Sequence, residues 1–315
     1  MNEIERYLVE EELEHYRFGW ITRREFMRRA ALLGVGAGAA LGLARPLGAP
    51  SPVHAAPTGQ GSPFSVAEDD PAVASTFVSY TSSDGVDLVA YLALPSHERR
   101  NATLPGVVIC HENRGVTPHF KDVPRRFAKQ GYVAIVPDLL SRFGPTTDQL
   151  SDDEVRATYS LMDPEQNALD FAAALDFLKG HPAVDSQKLA ATGYCFGSGV
   201  IWRLATIYPD LKAAVPCYGS NPPLDDAANI RAAVLGVYAD LDARITPARF
   251  ELEERLQSAG VTYRFKVYPN SQHAFFNNTG AAYNPDTAAE LWMDTLNWFA
   301  EYLDLPSPVV EPNMA

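Results

Sequence analysis

Cysteine is scarce in this sequence: Cys110, Cys195 and Cys217 are the only three in 315 residues. An odd, low count excludes a disulfide scaffold. No CxxC pair and no Cys/His ligand spacing suggests zinc, so no metal and no cofactor is expected. Positive charge is also short. There are 26 Lys and Arg against 39 Asp and Glu, a net charge of −13. Nucleic-acid partners are therefore not expected, because phosphate contacts need clustered Lys and Arg. Long hydrophobic runs are missing too. The run Ala30–Leu43 is rich in Ala and Gly and too short to span a bilayer as a helix. What is present is an ordinary globular composition, 46% hydrophobic and 21% charged. The length allows one large domain or two small ones.

The N-terminal part reads as an address. Thr22-Arg23-Arg24-Glu25-Phe26 ahead of the weakly apolar run has the twin-arginine export pattern. Val53-His54-Ala55 resembles a small-residue cleavage site, and no cysteine beside it offers a lipid anchor. Residues 1–55 are thus expected to be a twin-arginine signal peptide with an extended acidic leader over Glu3–Glu14. The implied partner is the twin-arginine export machinery. The implied location is periplasmic or extracellular, with no stable membrane anchor after cleavage. Residues 56–72 read as a linker rich in Pro, Ser and Gly, residues 73–305 as the catalytic domain, and residues 306–315 as a tail.

From Thr76 the pattern alternates strands and helices. Thr76–Tyr80 and Val86–Leu94 are β-rich runs around Ser82-Ser83-Asp84-Gly85, a hairpin signal. Pro105–Cys110, Tyr132–Val136, Leu189–Tyr194, Ala213–Tyr218, Ala233–Tyr238 and Tyr263–Tyr268 are continuous apolar or β-rich runs. Helical spacing lies between them, over Phe120–Gln130, Glu154–Met162, Gln166–Leu178, Gly199–Ile207 and Pro247–Ser258, and again in the final segment Thr287–Tyr302. The alternation predicts an α/β fold with a mostly parallel central sheet, helices on both faces and an antiparallel edge.

Gly193-Tyr194-Cys195-Phe196-Gly197 has the spacing of the G-x-S-x-G nucleophile elbow, with Cys for Ser. An apolar strand precedes it and a helix follows, the context that turn requires. The helix start favours a thiolate by its dipole. A buried structural cysteine is the plain alternative, and it suits Cys110 and Cys217 better. In the α/β-hydrolase fold the chain order is nucleophile, acid, base. Asp240 and Asp242 follow the strand Ala233–Tyr238, and His273 follows Tyr263–Tyr268. Both places are C-terminal strand ends, where open α/β sheets carry active residues. His273 would exchange protons with the thiol and the leaving group, and the acid would hold its tautomer. His181 precedes the elbow and suits a surface loop. The backbone N–H of Phe196, next after the nucleophile, is a natural oxyanion donor.

These runs resemble the dienelactone hydrolase family over roughly Ser75 to Leu303, and its secreted branch in particular. The resemblance rests on the elbow, Leu241-Asp242-Ala243-Arg244-Ile245, His273-Ala274-Phe275-Phe276-Asn277 and His111-Glu112-Asn113-Arg114-Gly115. It implies hydrolysis of ester or lactone bonds through an acyl-cysteine, and it favours Asp242 over Asp240 as the acid. It also implies that Glu112 helps take the thiol proton and that the N–H of Asn113 joins Phe196 in the oxyanion hole. His111-Glu112 is not a zinc HExxH pair, since Gly115 stands at the fifth position. The sequence departs from the family at Asn277, where carboxylate-binding members carry arginine. Neutral lactones or esters are therefore expected to serve at least as well as acids. Arg114 and Arg156 remain as candidate substrate-binding cations. Rival readings are a broader carboxylesterase or thioesterase, and a non-catalytic binding protein on the same scaffold.

Overall fold

A computed structural model describes residues 2–35, 61–96 and 103–308. The cleavage site at Val53-His54-Ala55, most of the apolar run before it and residues 309–315 of the tail lie outside the described residues. An eight-stranded sheet runs through the domain in the order β1-β2-β4-β3-β5-β6-β7-β8. β1 (Val73–Thr81) and β2 (Asp87–Pro95) form the expected antiparallel hairpin. β2 pairs antiparallel with β4 (Val133–Pro137). β3 (Leu104–Cys110), β5 (Val184–Tyr194), β6 (Ala213–Cys217), β7 (Ala233–Ala239) and β8 (Tyr263–Tyr268) continue the sheet in parallel. The central strands are buried on both faces, which is why they read as unbroken apolar runs.

The helices of this part are α3 (Pro118–Lys129), α4 (Asp152–Tyr159), α5 (Pro164–Lys179), α6 (Phe196–Ile207), α7 (Arg249–Ala259) and α8 (Pro285–Tyr302). Their ends follow local chemistry. α4 carries a capping box between Ser151 and Glu154. Proline opens α5 and α8, where its missing N–H costs nothing. α7 stops at Gly260, which is left-handed.

The N-terminal residues, expected to be a signal peptide, form two helices in this structure. Glu3–Arg17 forms helix α1 and Arg23–Leu32 forms helix α2, with capping side chains at Asn2 and Thr22. Ile4, Tyr7, Leu8 and Val9 of α1 are buried in the same apolar core as the sheet, together with Leu33. Fully burying an aliphatic side chain of this size stabilises by roughly 1.5–3 kcal/mol. Phe26 and Ala30 of α2 pack on Leu13 of α1 in a small separate cluster. Arg23 and Arg24 stay exposed.

Candidate active site

The elbow is strained as its motif requires. Cys195 follows β5 and caps α6 with φ 57° and ψ −122°, outside the conformations a side chain prefers. A Cβ at Gly193 would stand 2.3 Å from the carbonyl oxygen of Gly197, and one at Gly197 would stand 2.5 Å from that of His111. Both contacts are with backbone, so only glycine lets the turn sit this close to the neighbouring strand. The N–H of Phe196 belongs to the first turn of α6, whose donors have no partner inside the helix.

The chain brings Cys195, His273, Asp242 and Glu112 to one end of the sheet, each just past a strand. His273 Nδ1 lies 2.7 Å from an Asp242 carboxylate oxygen. The other Asp242 oxygen accepts from the N–H of Arg244 at 3.1 Å and of Ile245 at 3.0 Å, which fixes the carboxylate. Burial alone would raise the Asp242 pKa, but His273 and Arg244 bring it below its ordinary value. Asp240 does something else. Its two oxygens accept from the N–H groups of Asn270 and Ser271, both at 2.9 Å, and so hold the loop that carries His273. His181 is half-buried at the opposite end of the sheet, before β5, where its Nδ1 accepts from the N–H of Ala183.

Nε2 of His273 is buried with no hydrogen-bond partner. It is therefore free for the thiol or a leaving group. Burial would lower the pKa of His273, but a Cys195 thiolate, once formed, and the Asp242 carboxylate raise it. The Cys195 thiol is raised, first by burial and then by the charge of Glu11. Cys110 and Cys217 are also wholly buried, at the ends of β3 and β6, and burial raises both.

Glu112 follows β3. One carboxylate oxygen accepts from Asn277 Nδ2 at 2.7 Å, and the other is buried without a partner. Burial pushes its carboxyl up to about 7, against the lowering effect of Asn277. Asn277 thus holds a catalytic candidate in place. The backbone from His111 to Gly115 is fixed by Tyr159, whose hydroxyl donates to the Glu112 carbonyl at 2.8 Å and accepts from the N–H of Gly115 at 3.2 Å. Asn113 is half-buried in this loop. Arg114 is exposed, while Arg156 is buried; the two share the lining of a small cavity with Leu8, Glu12 and Tyr159.

Three residues without an assigned role complete the mouth. Tyr7 Oη donates to Cys195 Sγ at 3.4 Å, and Sγ lies 3.4 Å from a Glu11 carboxylate oxygen. Arg244, two residues past Asp242, has a guanidinium nitrogen 3.5 Å from His273 Nδ1. Its Nε donates to Glu14 at 3.3 Å, its Cζ lies over the Tyr7 ring 4.5 Å from the centroid, and its Nη1 is buried and unpaired. One ligand atom each from Glu11, Cys195 and His273 lie within 4.8 Å of one another, the group with metal-ligand spacing among the described residues. Arg244 was visible as a cation beside the acid. Nothing in the spacing of Tyr7, Glu11 or Glu14 pointed to the site.

The comparisons agree with this architecture. The chain matches the dienelactone hydrolase family over residues 88–303. It is 33% identical over 231 residues to a Methylorubrum extorquens protein named "Putative carboxymethylenebutenolidase", covering 70% of this chain and 78% of that one. A Yersinia pestis protein of the same name is 32% identical, with 73% and 89% covered. The crystal structure titled "Putative Dienelactone Hydrolase" from Klebsiella pneumoniae superposes with a TM-score of 0.67 at 31% identity, over 73% of this chain and all of that one. The fold is the α/β-hydrolase fold.

Proposed function

The chain belongs to the dienelactone hydrolase family and is a hydrolase, and from that premise we propose that it cleaves ester or lactone bonds through an acyl-cysteine on Cys195. His273 takes the thiol proton, with Glu112 as its neighbour in the resting site. The thiolate adds to the carbonyl carbon, forming a C–S bond. The oxyanion meets the N–H groups of Phe196 and Asn113. The C–O bond breaks, and the imidazolium gives its proton to the leaving oxygen. Water, deprotonated by His273, then attacks the acyl carbon and releases the acid, restoring the thiol. Asp242 holds the imidazole tautomer throughout. The observation that carries this reading is the His273–Asp242 contact at 2.7 Å beside a cysteine in the strained elbow.

The same proposal extends to a substrate with a carboxylate, a different reading from the one drawn from Asn277. Arg244 is half-buried next to His273, and its Nη1 is buried without a partner. A guanidinium in such a place grips a carboxylate by paired, charge-assisted bonds. Export by the twin-arginine route belongs to the same proposal, supported by the exposure of Arg23 and Arg24 at the start of α2. Changing both to lysine should trap the protein in the cytoplasm, and exported protein should begin near Ala56.

The deciding experiment is hydrolysis of a panel of aryl esters and lactones by the exported protein, with mass analysis of the quenched enzyme. Turnover together with an acyl group on the Cys195 peptide is the expected result. Turnover that survives Cys195→Ala, or an acyl group found elsewhere, overturns the mechanism.

A further inference from the structure

Helix α1 lies across the mouth of the site, and its contacts are not those of a passive leader. It touches the nucleophile twice, through Tyr7 and Glu11. Its carboxylates pair with cations of the mouth: Glu14 with Arg244, Glu12 with Arg156 at 3.2 Å, and Glu3 with Arg203 of α6 at 2.8 Å. Asn2 donates to the carbonyl of Ser160 at the end of α4. Ile4 and Tyr7 line a small cavity with Phe196 and Val200, and Leu8 lines another with Tyr159. The helix is thus amphipathic in a specific way: apolar residues face the gap between α4 and α6, and acids face the arginines. Glu11 and Cys195 are both buried, so the thiol is covered in this arrangement.

We propose that the mouth of the active site is a docking surface for the chain's own acidic helix, residues 3–17, and that the intact chain is held closed by it. The partner class is an acidic amphipathic helix. Its Tyr7 and Glu11 sit where substrate must approach the thiol, and its Glu14 sits on the arginine assigned above to a substrate carboxylate. Removing the N-terminal segment, or displacing α1, opens the site. This inference rests on Cys195 being the nucleophile.

The test uses the full-length chain and two readouts, alkylation of Cys195 by iodoacetamide and hydrolysis of a short aryl ester. The variant Ile4→Asp/Leu8→Asp breaks the apolar side of the helix without touching the catalytic residues. Alkylation of Cys195 should be at least about tenfold faster in the variant than in the wild-type chain, with ester turnover rising in step. A synthetic peptide of residues 2–18, added in excess to the variant, should slow both again. Peptide mapping guards against simple unfolding: Cys110 and Cys217 must stay unlabelled. If they react, the charge-reversal variant Glu12→Arg/Glu14→Arg takes its place. Equal alkylation rates in the wild-type chain and a folded variant overturn the proposal. Faster alkylation with no ester turnover leaves the plug standing and overturns the ester reading. Ester turnover with equal alkylation rates does the reverse.

Discussion

Cys195 is held by the residues beside it, whereas the helix that covers it comes from the far end of the chain. Gly193 and Gly197 set the elbow from two positions away on either side. Tyr7 and Glu11 reach the same sulfur across 188 and 184 positions of sequence. The two regions are also built from different forces. The elbow rests on backbone sterics and on a sheet buried on both faces, which neither salt nor moderate pH weakens. The cover combines a few buried apolar side chains with carboxylate–guanidinium pairs at a mouth. Such pairs respond to salt, to pH and to a competing anion. A rigid chemical centre under a releasable cover is what the difference describes.

The largest effect should fall on the elbow. Cys195→Ala should lower ester hydrolysis by at least about a thousandfold, since loss of one member of a catalytic set costs several orders of magnitude. Its melting temperature should stay within about 4 °C of wild type, because the lost sulfur is worth about 1 kcal/mol of packing. A variant within about tenfold of wild-type activity, measured with the cover released, would break the assignment of the rigid region as the chemical one.

Next comes Glu112, on the rigid side but titratable. Its pKa is raised from 4.5 to about 7 by burial, so the folded state prefers the protonated form. The stability this confers is complete below the unfolded pKa and is lost as pH rises through about 7. Glu112→Gln should therefore gain on wild type by up to ~3 kcal/mol between about pH 4.5 and about pH 8. Urea unfolding of both proteins at the two pH values measures it. A difference independent of pH would mean that water reaches the carboxylate and that the elbow's surroundings are less closed than described.

Arg244 joins the two regions, since it touches Glu14 and Tyr7 of the cover and His273 of the site. With the cover released, wild type should prefer a lactone acid over its methyl ester by roughly ten- to hundredfold, a charge-assisted contact being worth about 1.5–3 kcal/mol. Arg244→Ala should abolish that preference in kcat/KM, whereas Arg114→Ala should leave it, because Arg114 is exposed. The reverse pattern would place the anion site on the outer loop.

The same contrast explains what could be read from the sequence. The elbow, the order of acid and base, and the strand-helix alternation depend on near neighbours and on burial period, so they were legible in the order of residues. The strand over Tyr263–Tyr268 matched to its ends, and most other elements to within a few residues. Asp240 and Asp242 could not be told apart by spacing alone; they differ in which group each carboxylate meets across the His273 loop. Helix α1 was the real omission. Glu3–Glu14 has the acid content of a solvated leader, and its apolar residues acquire meaning only against α4, α6 and Arg244, more than a hundred positions away. Arg244 stood in plain view beside Asp242, but only the fold turns it toward His273.

The smallest effect should come from salt, and it bears on the cover alone. Three of its pairs differ in exposure. The Glu3 carboxylate is open to solvent in its pair with Arg203, while Glu12 and Glu14 are largely buried in theirs. Screening acts within about 10 Å at 0.1 M salt and about 3 Å at 1 M, and it acts far less on buried pairs. An exposed pair is worth about 0.2–1 kcal/mol, so its loss changes the open fraction by only a few-fold. Raising salt from about 0.05 M to about 1 M should therefore speed alkylation of Cys195 in the full-length chain by roughly two- to fivefold. Glu3→Gln should remove part of that response. In the Ile4→Asp/Leu8→Asp chain, where the helix is already displaced, the alkylation rate should be nearly independent of salt. A salt effect of equal size in both chains would assign it to the thiol itself and erase the distinction between the rigid centre and its cover.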